Sequence, residues 1–148
     1  MKRKGFTLIE ILIVVIILGI LAAIVIPQFT DASNDARVSA MVSDLQTVRS
    51  QIELYKVQHL DEYPGTVGGA WTIGNFVTTL SNMTDEHGNP GGDLGPYLQK
   101  FPTNPFNASN AVRDAGASDP NAESGTEGWW FNSTTGAFGV NTTEYIDW

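Results

Sequence analysis

The sequence predicts an α+β fold: one very long N-terminal α-helix, packed along its second half on a small C-terminal antiparallel β-sheet. Three observations carry this. From Phe6 to Ile26 the only ionisable side chain is Glu10, so the apolar run reads as one continuous helix. Beyond Phe29 the apolar residues thin to Val38, Met41, Leu45, Val48, Ile52 and Tyr55, at alternating spacings of three and four. That is one stripe of an amphipathic helix. Near the C-terminus, Trp129-Trp130-Phe131 and Ala137-Phe138-Gly139-Val140 flank Asn132–Gly136, the pattern of a β-hairpin with a glycine-containing loop.

The first half of the helix is long enough to span a membrane. About 20 apolar residues rise ~30 Å, the thickness of bilayer hydrocarbon. Lys2, Arg3 and Lys4 precede it and should stay on the cytoplasmic side, so the rest of the chain is delivered outside. Pro27 lacks a backbone N–H and leaves the Ala23 carbonyl without its helical partner, so a kink is expected near Ala23–Pro27. Gly19 and Ala23 form a small-xxx-small pair that lets helices approach closely. The helix is predicted to run from Phe6 to about His59, roughly 80 Å. Asp31, Asp35, Asp44, Arg49, Glu53 and Lys56 fall between the stripe residues, so the stripe reads as core rather than as a ligand site.

Tyr63-Pro64-Gly65 ends the helix with a turn signal. Gly65 to Ala70 is expected to be loop. Asn75 to Asn82 reads as a short helix with Phe76, Val77 and Leu80 on one face. Met83 to Gly95, polar and rich in Gly and Asp, reads as loop, and so does Asn107 to Gly128. Tyr145-Ile146-Asp147-Trp148 is expected to add an edge strand after the hairpin.

Composition narrows the function. The 148 residues allow one small domain beyond the anchor, with fewer than about 90 residues free of the helix. Such a core should use the helix as one wall. The formal net charge is −8, and three of the eight basic residues stand before Gly5. Without them five basic side chains face sixteen acidic ones, a net of −11. An exterior this acidic argues against nucleic acid as a partner. There is no cysteine, hence no disulfide and no thiol chemistry. No catalytic constellation is present, and neither His59 nor His87 sits in a metal-binding motif. Asp85-Glu86-His87 reads as a solvated loop cluster. The Asn-x-Ser/Thr sequons at Asn82, Asn107, Asn132 and Asn141 read as accidents of an Asn- and Thr-rich chain.

Glu10 is the exception in the apolar run. A carboxylate there costs ~2.5–3.5 kcal/mol on insertion scales, so it is a functional candidate that wants a cationic partner. No Lys or Arg follows until Arg37. A cut after Gly5 would create an α-amino group on Phe6, one helical turn from Glu10 or beside the Glu10 of another copy. Lys4-Gly5-Phe6-Thr7-Leu8-Ile9-Glu10 and the apolar helix behind it resemble the processing site of bacterial type IV pilins and type II secretion pseudopilins. The stretch Tyr97-Leu98-Gln99-Lys100-Phe101-Pro102-Thr103-Asn104-Pro105-Phe106 resembles a segment of major pseudopilins, with Asn104 where they have Asp and Phe106 where they have Trp. The lack of cysteine fits that branch better than the disulfide-bearing pilins.

The resemblance implies a pilin-like fold and three regions: a cleaved leader at 1–5, a membrane and assembly helix at 6–28, and a periplasmic domain at 29–148. It implies cleavage between Gly5 and Phe6 by prepilin peptidase, N-methylation of Phe6, and filament assembly through Phe6 and Glu10. The implied setting is the bacterial inner membrane, crossed once. The implied partners are other copies of the chain, membrane lipid, minor pseudopilins, a platform protein and an assembly ATPase. Major pseudopilins also carry calcium in a C-terminal loop. The candidates here are Asp114, Asp119 and Glu123, with Glu127 in the same loop; calcium takes six to eight oxygen ligands. The loop lacks EF-hand spacing and does not match the family's motif, so a merely solvated acidic loop stands as the alternative. The function expected is a non-enzymatic filament subunit driving type II secretion. Its rivals are a surface type IV pilin and a membrane-anchored binding domain that never polymerises.

Overall fold

The computed structural model describes residues 5–116 and 126–142. The leader cations, Asp119, Glu123 and the expected strand at Tyr145–Trp148 lie outside the described residues. The chain divides into two compact units between Val38 and Ser39.

Helix α1 spans Leu8–Gln58, within a residue or two of expectation, and continues through Pro27. In the first unit every described residue up to Arg37 is exposed. The helix is long and apolar enough to cross a membrane, with a mean hydropathy of 3.3 over its most apolar window. Among the described residues nothing covers this apolar stretch.

The second unit holds the core. The α1 stripe Met41, Leu45, Val48, Ile52 and Tyr55 is buried, as its spacing requires, and Val38 is half-buried. Helix α2, Ile73–Ser81, begins two residues before the expected start and buries Phe76 and Leu80. Strands β4 (Trp129–Phe131) and β5 (Phe138–Val140) form the predicted antiparallel hairpin, with Trp129 opposite Val140 and Phe131 opposite Phe138. Trp129, Phe131, Phe138 and Val140 join the stripe, Phe76, Leu80, Leu98 and Phe101 in one cluster. Phe76 is its hub, 4.5 Å from the Phe131 ring centroid and 6.2 Å from Phe101 and Phe138. The alternate residue Trp130 faces the other way and lies flat on Gly139, where an added Cβ would come within 2.4 Å of the indole.

Two short strand pairings depart from expectation. The segment expected as loop at Gly65–Ala70 contains a hairpin: β1 (Thr66–Val67) pairs antiparallel with β2 (Ala70–Trp71). Its two-residue turn, Gly68–Gly69, has φ of 58° and 84°. Positive φ at both positions is the turn that matches strand twist, and glycine meets it without strain. The expected Asn107–Gly128 loop contains β3 (Val112–Asp114), which pairs parallel with β4. The three-stranded sheet β3-β4-β5 is therefore mixed rather than purely antiparallel. Three residues with one charge on either side of a parallel register leave no alternation to read; the edge of β4 recruits them.

Buried Asn104 ties this region together. Its amide donates to the Gly128 carbonyl (2.8 Å) and Thr142 Oγ1 (3.0 Å), and its Oδ1 accepts from the Phe106 N–H (2.9 Å). An Asp at this position would lack both donated bonds.

Candidate functional site

The candidate site is the start of α1. Thr7 precedes the first helical residue, and the first turn of any helix leaves backbone N–H groups without partners. Thr7 and Glu10 satisfy two of them reciprocally. Glu10 Oε2 accepts from the Thr7 N–H and from the Thr7 hydroxyl, both at 2.7 Å. Thr7 Oγ1 in turn accepts from the Glu10 N–H at 3.3 Å. This is a capping box, for which the Thr-x-x-Glu spacing is the sequence signature. The sequence reading weighed Glu10 only as a charge and missed this role.

The cap uses one carboxylate oxygen. Among the described residues Glu10 Oε1 has no hydrogen bond and Glu10 no ion pair. Phe6 is 84% exposed, one helical turn from Glu10. A Cβ added at Gly5 or at Gly19 would meet nothing within 4 Å, so the chain's own packing requires neither glycine.

The acidic loop is only partly described. Asp114 ends β3, is exposed, and accepts the Gly116 N–H on Oδ1 at 2.9 Å. Its companions Asp119 and Glu123 lie outside the described residues. Glu127 Oε2 is buried, and among the described residues no hydrogen-bond donor reaches it. Among the described residues no group of three His, Cys, Asp or Glu side chains could hold a metal. The 83–91 loop encloses a cavity of about 420 Å³ against α2, lined by Asn75, Thr78, Asn82 and Met83 among others, with no titratable side chain.

Residues 1–26 match the family model of the prokaryotic N-terminal methylation motif. The type II secretion system core protein G of Pseudomonas aeruginosa is 35% identical over 105 residues, covering 71% of this chain and 69% of its own. The protein of the same name from Klebsiella michiganensis is 37% identical over 105 residues, with the same coverage. That from Escherichia coli is 27% identical over 134 residues, covering 85% of this chain and 88% of its own. No solved structure matches the chain.

Proposed function

The chain belongs to the family of the type II secretion system core protein G, the major pseudopilins, and from that premise we propose that it is a structural, non-catalytic filament subunit that drives secretion. The observation that carries the mechanism is that Glu10, the one ionisable side chain between Phe6 and Ile26, has an oxygen without a hydrogen bond among the described residues.

The proposed sequence has three steps. The basic leader holds the N-terminus at the cytoplasmic face of the inner membrane, and prepilin peptidase cuts between Gly5 and Phe6. Gly5 is exposed and carries no side chain, which favours a close approach of the enzyme to the backbone. The cut frees the Phe6 amine, which methylation leaves basic; with a reference pKa near ~8 it stays cationic at neutral pH. Assembly then moves the apolar half of α1 from lipid into a bundle of copies, powered by a platform protein and an ATPase. There an unpaired Glu10 would be a buried charge, costing several kcal/mol. Oε2 remains the helix cap, and Oε1 receives the amine of a neighbouring copy. A subunit in the wrong axial register would bury both charges unpaired, so the pair selects register.

Calcium is a second element of the proposal. Asp114, Asp119 and Glu123 would supply the hard carboxylate oxygens the ion takes, and Glu127 Oε2, buried without a hydrogen-bond donor among the described residues, would add another. Bound there, it would neutralise part of the acidic loop.

The test is Glu10→Val expressed in the native host, with cleavage, membrane level and polymer measured separately. Cleavage and insertion are expected to persist and polymer to be lost. Normal filaments from processed Glu10→Val protein would show that apolar packing alone sets the register.

A further inference from the structure

His59 lies just past the end of α1, yet it is 1% exposed. Its ring stacks on Tyr55, with centroids 3.6 Å apart and planes 3° from parallel. Tyr97 closes the site edge-on at 5.8 Å. Both ring nitrogens are engaged. Nδ1 stands 2.9 Å from the Tyr55 carbonyl, which only accepts, so Nδ1 carries the proton. Nε2 stands 2.9 Å from Thr84 Oγ1 and therefore accepts from that hydroxyl. Thr84, itself 2% exposed, anchors a loop. Its N–H donates to the Leu94 carbonyl (2.9 Å) and its carbonyl accepts the Leu94 N–H (3.0 Å). One hydroxyl thus joins the end of the long helix to the closure of the 84–94 loop.

We propose that His59 is an acid-sensitive latch: in its neutral form it holds the 84–94 loop on the end of α1, and its protonation releases that loop. A proton on Nε2 turns an acceptor into a donor. The Thr84 hydroxyl would then have to rotate, and its own proton would need another acceptor in a site closed to water. The groups facing the ring are Tyr55 from α1, Tyr97 from the segment after the loop, and Asp85 from the loop. Asp85 is the anion among them, and its Oδ1 is already held by the N–H groups of His87 and Asn89. Burial keeps the His59 imidazole below its usual range, against the Tyr55 carbonyl and Asp85, which pull it up. The sign follows. The opened loop binds the proton before the closed one, so the latch is complete above the ordinary histidine range and weakens as pH falls through it. Thr84 and Gly88 also line the cavity against α2, so release of the loop changes the surface presented there. The latch operates in the single subunit and does not depend on assembly.

The experiment is amide hydrogen exchange at Thr84 and Leu94 in the full chain in detergent micelles, corrected for intrinsic rate, from pH 8 to pH 5. Protection should fall by up to about tenfold per pH unit across the window between the opened and closed pKa values. In His59→Gln, whose amide offers a donor and an acceptor without titrating, that dependence should vanish. An equal fall in His59→Gln would overturn the latch. Should that variant not fold, the wild-type ring decides by NMR: a ring that titrates at its ordinary value while Thr84 and Leu94 stay protected also overturns it.

Discussion

At the scale of single residues, Glu10 has one oxygen for each of two roles, the helix cap and the proposed pairing with an amine. Oε2 caps the helix through Thr7, and Oε1 is open for an amine. The two are separable by substitution. Glu10→Gln keeps an oxygen acceptor for the cap and removes the charge, whereas Glu10→Val removes both. If the charge sets register, both variants lose polymer while remaining cleaved and inserted. Polymer restored in Glu10→Gln would assign the residue to capping alone, an effect worth about 0.5–2 kcal/mol. The charge was legible because an acid in an apolar run is rare. The cap was equally present in the sequence as Thr-x-x-Glu, the signature of a capping box. Asn104 was recognisable as a softened Asp, but its need for an amide donor appears only once Gly128 and Thr142 stand beside it.

At the scale of elements, legibility followed periodicity and length. The α1 stripe repeats over several turns, so its buried face could be named residue by residue. The β4–β5 hairpin was announced by its aromatic residues and the glycine in its loop. β1, β2 and β3 are as short but lack such an aromatic run on both sides of a turn, and two or three residues alone carry no period to read. The Gly68–Gly69 pair was nonetheless a turn signal in plain sight. Packing gives these elements their energy. Phe76 of α2 touches both strands of the hairpin and Phe101. Phe76→Ala should lower unfolding stability by ~3–5 kcal/mol in chemical denaturation, the range for emptying a buried aromatic site. A loss below ~1 kcal/mol would mean that the hub is not packed as described. The acidic loop after β3 makes a second prediction at this scale. If it holds calcium, the melting temperature should rise between EDTA and millimolar calcium, since a ligand of the native state alone stabilises by ~2.7 kcal/mol at a hundred times its Kd. An unchanged melting temperature removes the ion.

At the scale of the whole molecule, two solvents shaped one chain. From Leu8 to Ile26 the helix is exposed and apolar apart from Glu10; further along, the same helix buries one stripe under a small sheet. A domain this small draws much of its core from that helix, so the helix is the wall of the domain and, in the proposed assembly, also the means of joining other copies. The net charge of −8, and −11 without the leader, keeps the exterior soluble and sets copies to repel until apolar burial outweighs it. Everything in this scheme depends on where the mature chain begins, since only a free amine at Phe6 supplies the cation that Glu10 lacks. The most direct measurement is therefore the intact mass and N-terminal sequence of the protein taken from its native membrane. A chain starting at Phe6 and carrying one added methyl group is expected. A chain starting near Ile24, cut after Ala22 and Ala23 as an ordinary secretory signal would be, would contradict it.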